Sequence, residues 1–173
     1  AEAVGDLGYN VAVHGQKSYN GVAILSLRPL EDVVRGLPGD TADEQARYIE
    51  ASVDGLRVAS IYLPNGNPID TEKFAYKLAW LEALTHWLEE ELLRYPSLAL
   101  LGDYNIAPDE RDAHPDWKDE IHVSVPERAA FQALIDLGLR DAFRLFEQEE
   151  RSFSWWDYRM GAFRRNFGLR IDH

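Results

Sequence analysis

The chain has 173 residues, 46% hydrophobic and 28% charged, with a net charge of −12 and no cysteine. That length supports one domain with a sizeable core in an ordinary globular composition, and the missing cysteines exclude disulfides and thiolate metal sites, which fits a reducing compartment. The acidic excess argues against a polyanionic partner, and neither a leader peptide nor a run of about 18 apolar residues is visible.

The chain opens "AEAVGDLGYNV" without an initiator Met and stops at "GLRIDH", inside what reads as a strand, so a piece of a longer protein is expected. "YNVAVHG" and "NGVAILSLRP" read as two strands separated by polar "QKSY". "EDVVRGLPGDTADE" reads as a loop. "ARYIEASV" and "LRVASIYLP" flank Asp54-Gly55, a pair suited to a type I′ hairpin turn. "PNGNPID" is a second loop, after which Thr71 caps a helix over about 72–94. Its apolar face is expected to carry Phe74, Leu78, Leu81, Leu84, Leu88 and Leu92, and Pro96 ends it. "SLALLGDYN" is a short apolar strand, expected to be buried on both faces. Residues 107–125 read as loop, and "PERAAFQALIDLG" as a helix with Pro126 near its start and Gly138 just past its end. "RSFSWWDYR" and "LRIDH" read as strands around an Arg-rich loop. Residues 151–173 hold five Arg against two Asp, so this segment is the place to look for a phosphate contact. Hairpins outnumber strand–helix–strand units, which implies α/β layers of sheet covered by helices.

"GDYN", residues 102–105, carries the chemistry. A Gly after a strand permits a close backbone approach. Asp103 and Asn105, two apart, are expected to share one face at the strand's carboxyl end, where open α/β sheets commonly place ligands. There a carboxylate accepts a proton from water or holds a cation, and a carboxamide donates to a developing oxyanion or orients the carboxylate. The plain alternative is an Asx turn closing the strand. Tyr62, Asn65 and Asp172 also stand at strand ends, and they form a polar mouth if those strands are neighbours.

"YNGVAILS", "IYLPNGNPIDTEKFAYKLAWLEAL", "LGDYNIAPDERDAHPD", "VSVPERAAF" and "FSWWDYRMGAFRRNFGLRIDH" together resemble the exodeoxyribonuclease III family, the bacterial apurinic/apyrimidinic endonucleases of the endonuclease/exonuclease/phosphatase superfamily. The resemblance runs over nearly the whole chain in the family's order. It implies that residues 1–173 are the central portion of a single domain. The implied fold is a four-layered α/β sandwich of two mixed β-sheets flanked by helices, here incomplete at both termini. It further implies metal-dependent in-line hydrolysis of DNA phosphodiesters with Mg²⁺ or Mn²⁺: 3′→5′ exonuclease action on duplex DNA, incision at abasic sites and clean-up of 3′ ends. The implied partner is duplex DNA with abasic sites or 3′ ends. No membrane is involved, the full-length protein is a monomer, and the setting is the nucleoid of a bacterial cytoplasm.

By resemblance, Asp103 activates or positions the attacking water, Asn105 orients that aspartate and steadies the phosphoryl oxygens, and both are assigned to a metal position. Tyr62 lies against the scissile phosphate. Asp172 hydrogen-bonds a catalytic histidine. Asn65 contacts phosphate, as do Lys17 and Tyr19 in "GQKSYNG". Trp155, Leu169 and Ile171 form the apolar pocket for a flipped-out abasic sugar. Arg159, Arg164, Arg165 and Arg170 supply the positive field. The family's metal Glu and its S-D-H histidine match nothing between Ala1 and His173, so the 173-residue chain alone is expected to be inactive. His173, next to Asp172, points to the opposite face and is not that histidine; His14, His86, His114 and His122 match no motif. Two alternatives are carried: an RNA nuclease or a lipid or inositol phosphatase of the same superfamily, and a non-catalytic DNA-binding remnant.

Overall fold

Asp54-Gly55 shows how local chemistry sets the chain path. Both residues have positive φ, 48° and 82°, as a two-residue I′ turn requires. They join β4 (Tyr48–Val53) to β5 (Leu56–Tyr62) in antiparallel register from Val53↔Leu56 to Tyr48↔Ile61. The computed structural model describes residues 2–39 and 43–173. Among them no helix is long and apolar enough to cross a membrane. The elements are those of an α/β chain, and they fall into two compact units: Ala1–Tyr62 with His86–Gly102, and Leu63–Thr85 with Asp103–His173.

In the first unit a one-turn helix α1 (Glu2–Gly5) precedes the antiparallel hairpin of β1 (Asn10–Gly15) and β2 (Gly21–Ser26). The segment expected as a loop over 31–44 instead opens with a strand, β3 (Glu31–Arg35), paired antiparallel with β4. Two adjacent valines among charged residues give no strand period. The strand exists through its ladder to β4, with an irregularity between Glu31 and Val34 where Asp32 takes φ 48°. The last part of that expected loop, 40–42, lies outside the described residues. The sheet order is β3-β4-β5-β6, with β6 (Leu98–Asp103) at one edge. Ile49 and Ala51 of β4 pack with Ala12, Val22 and Ile24 of the hairpin, and Tyr62 lies half-buried against this cluster. As an edge strand β6 is only half-buried, and Leu101 is 48% exposed. The expected burial on both faces is therefore not met: among the described residues β6 is the last strand of the sheet order, and apolar composition alone does not reveal that place. Gly102 is required by geometry. At φ 144° a Cβ there would sit 1.9 Å from the carbonyl oxygen of Ile61.

Helix α2 (Glu72–Arg94) contributes residues 72–85 to the second unit and 86–94 to the first. Thr71 caps it, its Oγ1 accepting from the Phe74 N–H (3.4 Å). The buried stripe is Phe74, Lys77, Leu81, Leu84, Leu88 and Glu91. Leu78 and Leu92 lie at its half-buried margins, and two charged residues take the central positions.

In the second unit, α3 (Val125–Asp136) starts with a capping box between Ser124 and Glu127 and has Pro126 in its first turn. Gly138 follows its end at φ 103°. The expected strands in "RSFSWWDYR" and "LRIDH" shorten to β7 (Trp155–Trp156) and β8 (Gly168–Leu169), an antiparallel pair. Single bridges extend this segment: Ala113 to Leu169 and Asp103 to Asp172.

Candidate active site

Asp103 ends β6, and its carbonyl accepts from the Leu63 N–H at 2.8 Å. The strand stops there. Asn105 takes φ 50°, so the two side chains do not share a strand face as expected. The Asx turn forms instead: the Asn105 N–H donates to Asp103 Oδ1 at 2.8 Å. The Asn105 carboxamide is turned inward, and the residue is 4% exposed. Its Nδ2 donates to the Leu63 carbonyl (2.9 Å), and its Oδ1 accepts from Asn65 Nδ2 (3.1 Å). Asn105 thus acts on Asp103 through its main chain while its side chain ties down 63–65. Asn65 is exposed, and its Oδ1 accepts from the Asn67 N–H at 3.2 Å.

Beneath this turn lies a polar cluster that the sequence reading missed. Lys77 and Glu127, both with fully buried side chains, form an ion pair. The Lys77 ammonium also donates to the main-chain carbonyls of Asn65 (3.1 Å) and Asn105 (2.7 Å). Burial pulls the Lys77 ammonium below its ordinary value, against the pull of Glu127. Glu127 accepts in turn from the N–H groups of His122 and Ser124 and from the Ser124 hydroxyl. His122 Nδ1 stands 2.7 Å from the Asn105 carbonyl. A carbonyl only accepts, so Nδ1 carries the proton. Burial, then the neighbouring Lys77 charge, hold this imidazole neutral. Two signals in the sequence pointed here: a Lys in the apolar stripe of α2 and the Ser-x-x-Glu start of α3.

Asp172 is exposed and lies across an antiparallel bridge from Asp103. Directly opposed residues of that kind project to one side with Cβ atoms about 5 Å apart. Ser154 Oγ accepts from the N–H groups of both Ile171 and Asp172 at 3.1 Å and so fixes the segment. His173 faces the other way, its ring against Tyr104 and Phe131 at 5.1 and 5.0 Å.

Trp155, Leu169 and Ile171 do come together. Leu169 and Ile171 are 0% and 3% exposed and form a cluster with Ala107, and Trp155 and Trp117 pack half-buried against it. The part-exposed surface of this cluster belongs to Trp155 and Trp117. Of the arginines, Arg164 and Arg165 are exposed, Arg165 stacking 5.6 Å from the Phe167 ring. Arg159 is committed to Asp157, whose carboxyl it holds at about 2. Arg170 is 3% exposed and saturated by Asp112 and Asp141, so its expected part in a solvent-facing field is wrong.

Within the first unit, Tyr62 donates its N–H to the Arg47 carbonyl (2.8 Å) and accepts at its own carbonyl from Arg47 Nη1 (3.0 Å). The Arg47 guanidinium lies 4.9 Å from the centre of the Tyr62 ring. The loop with Lys17 and Tyr19 is anchored where Gln16 Oε1 accepts from the Ala46 N–H (2.8 Å). Both residues are exposed, Tyr19 at 76%.

The residues present do not complete a metal site. Asp103 and Asp172 are two carboxylates on one side of a bridge, and the Asn105 oxygen already holds Asn65. No group of three His, Cys, Asp or Glu is poised for a metal among the described residues. A cleft of about 960 Å³ elsewhere in the second unit is lined by Trp117, Arg128, Phe146 and Arg151, and none of the expected site residues borders it.

Residues 1–173 match the model of the endonuclease/exonuclease/phosphatase family. Exodeoxyribonuclease III of Haemophilus influenzae is 37% identical, covering 99% of this chain and 70% of the relative. An exodeoxyribonuclease of Bacillus subtilis is 33% identical, covering 95% of this chain and 65% of its own length. Among solved structures, a singly substituted form of the 3′ phosphatase NExo from Neisseria, bound to a product DNA hairpin, superposes with a TM-score of 0.96 at 45% identity, covering all of this chain and 68% of that one. An AP endonuclease from Archaeoglobus fulgidus superposes with a TM-score of 0.90 at 38% identity, covering 99% and 67%. The α/β fold class expected from the sequence holds, and the chain belongs to the endonuclease/exonuclease/phosphatase family, whose nucleases are metal-dependent.

Proposed function

We propose that this chain carries most of a DNA-repair phosphodiesterase of the exodeoxyribonuclease III type. It removes nucleotides from 3′ ends of duplex DNA, incises beside abasic sites and clears blocked 3′ ends. The observation that carries this reading is the Asp103 carboxylate, aimed by the Asn105 N–H from a turn that Asn65 and Leu63 lock in place. Hydrolysis of a phosphodiester needs a base or anchor for the attacking water and donors for the phosphoryl oxygens. Asp103 takes the first role. Asn65 takes part in the second: it is exposed, and one of its two amide hydrogens serves Asn105. We assign to Asp172 the orienting of a histidine and to Tyr62, held by Arg47 within its own unit, a contact with the scissile phosphate. Trp155 offers an apolar wall to an abasic sugar, which lacks the base that would exclude a normal nucleotide. Lys17, Tyr19, Arg164 and Arg165 contact the DNA backbone.

The opposed Asp103 and Asp172 repel each other, and a cation relieves that repulsion. Mg²⁺ or Mn²⁺ is the proposed ion, with Asp103 as one of its ligands. A duplex-DNA substrate puts the enzyme at the nucleoid of a bacterial cytoplasm, acting as a monomer.

The test compares an abasic duplex, a 3′-recessed duplex, single-stranded RNA and inositol phosphates as substrates for the full-length protein. DNA is cleaved, and chelation abolishes the rate. Asp103→Asn lowers kcat by about 10²–10⁴-fold. Replacing Arg164 and Arg165 by Ala weakens duplex binding and reduces its salt slope by about one per residue. Cleavage of RNA or inositol phosphates alone, binding of DNA without cleavage, or an unimpaired Asp103→Asn enzyme overturns the reading.

A further inference from the structure

We infer that Lys77 and Glu127 are positioning residues for the reaction: the buried pair sets the direction of the Asp103 carboxylate by clamping the main chain of Asn105. The inference rests on the reading of Asp103 given above.

An ammonium has three donors, and here all three are used, on the carbonyls of Asn65 and Asn105 and on Glu127. One side chain therefore joins the loop after β5 to the turn after β6. The stem is held as tightly as the head, since a Cβ on Gly66 would come within 2.7 Å of Lys77 Cδ. Glu127 is fixed from its other side by Ser124 and by the His122 N–H (3.1 Å). The chain of contacts ends at the chemistry. Asn105, in the left-handed region at φ 50°, has its carbonyl gripped by Lys77 and His122, each at 2.7 Å, and its N–H turned onto Asp103 Oδ1. Stability alone gives no reason for such a pair. Buried ion pairs are often replaced by apolar residues of similar volume with no loss, whereas removing one partner is costly. A pair that binds two main-chain carbonyls at a reactive carboxylate has a geometric task that no apolar pair can perform.

The test uses the full-length protein, with kcat and KM on its DNA substrate and the thermal midpoint as readouts. Lys77→Met lowers kcat about 10–100-fold with KM nearly unchanged, the range for residues that orient a reacting group through another. The single variant also destabilises, so the decisive variant is Lys77→Met with Glu127→Met, which removes both charges. Its midpoint recovers toward wild type while kcat stays low, because the two carbonyls still lack their donor. Recovery of both midpoint and kcat makes the pair merely structural and overturns the inference. If the double variant does not fold, Glu127→Gln decides, because it keeps volume and the Ser124 contacts. Its lost charge lowers the midpoint as well, so kcat is read at a temperature where the variant is fully folded: a loss of about 3–10-fold with KM nearly unchanged supports the inference, and an unchanged kcat sinks it. The exposed Lys73→Met is the control and leaves kcat unchanged. A wild-type protein inactive on DNA defeats the reading of the site itself; an active one whose Lys77→Met variant keeps its kcat defeats only the positioning role.

Discussion

Each unit buries an arginine between two carboxylates, and the two clusters are built differently. In the second unit Arg170 spends all five of its N–H donors. Nε and Nη2 bind Asp112 at 2.7 and 3.2 Å, Nη2 and Nη1 bind Asp141 at 2.6 and 3.3 Å, and Nη1 meets His173 Nδ1 at 2.9 Å. In the first unit Arg57 reaches Glu50 at 2.8 Å but Glu91 only at 3.5 Å. Glu50 Oε1, Arg57 Nε and Glu91 Oε2 are buried there without a well-formed hydrogen bond. Tyr48 donates to Glu50 Oε2 (2.7 Å), and burial, then Glu50, push its phenol far up. The cluster of the saturated Arg170, in which Arg144 Nε alone among the arginine donors is buried without a hydrogen bond, holds the segment that carries Leu169, Ile171 and Asp172. The looser one holds the sheet. A buried charge is tolerated only when paired and hydrogen-bonded, and the better pairing lies next to the proposed chemistry.

Removing either arginine tests that contrast. Arg170→Met leaves Asp112 fully buried with only Arg144 as a cation, and Asp141 with none in the cluster. We expect a loss of about 3–5 kcal/mol in urea unfolding, with reduced activity as Asp172 loses its support. Arg57→Met should cost less, about 3 kcal/mol at neutral pH and less again in mild acid, where Glu91 takes up a proton readily. A larger cost for Arg57→Met than for Arg170→Met breaks the comparison.

The local grammar of the chain was legible because one or two residues decide it: Asp54-Gly55 for the hairpin, Thr71 and Pro126 for helix starts, Gly102 for the close approach to Ile61. What escaped depends on neighbours distant in sequence. β3 exists through pairing with β4, and β6 is only half-buried at the edge of the described sheet. Of the candidate site, Asp103 and Asp172 were read as strand ends, and a bridge joins them. Asn105 was found for the wrong reason, since its main chain and not its side chain addresses Asp103. Arg170 reads as surface charge because nothing in "GLRIDH" reveals Asp112, 58 residues away.

His173 gives the next, smaller test. Arg170 only donates, so His173 Nδ1 accepts and Nε2–H donates to the Ile106 carbonyl at 2.9 Å. Burial, then the Arg170 charge, depress its protonation, and burial does the same to His122. Both are therefore neutral when folded while the unfolded chain takes up protons near pH 6.5. Stability is full above that pH and falls as pH drops through it toward the lower folded values. Unfolding free energies from urea titrations at pH 7.5 and 5.5 should differ by about 1 kcal/mol for each histidine, and His173→Gln should remove part of the difference. An unchanged pH dependence in that variant would contradict the assignment of its neutral form.

The smallest effect distinguishes the loose cluster most sharply. Burial, then the nearby Glu50, raise the Glu91 carboxyl above its ordinary 4.5. A raised carboxyl makes its contribution below the unfolded value, and it is lost as pH climbs through the folded one. At pH 8 the folded protein holds two buried carboxylates beside Arg57, and the second, Glu91, has otherwise the exposed Arg94 (3.3 Å), whose screened pairing offsets little of the burial; Glu91→Gln relieves it. We expect that variant to be up to about 1 kcal/mol more stable than wild type at pH 8 and no more stable near pH 4.5. The matching change in the second unit, Asp141→Asn, should behave oppositely. Burial raises that carboxyl, but the Arg170 hydrogen bonds and charge outweigh it and hold it below its usual range. Its charge therefore stabilises at neutral pH, and Asp141→Asn loses stability there, with the loss fading as acid protonates the wild-type group. Two substitutions that each remove one carboxylate beside a buried arginine thus carry opposite signs at pH 8. Equal signs would mean that the number of hydrogen bonds on the arginine does not decide whether a buried second carboxylate helps.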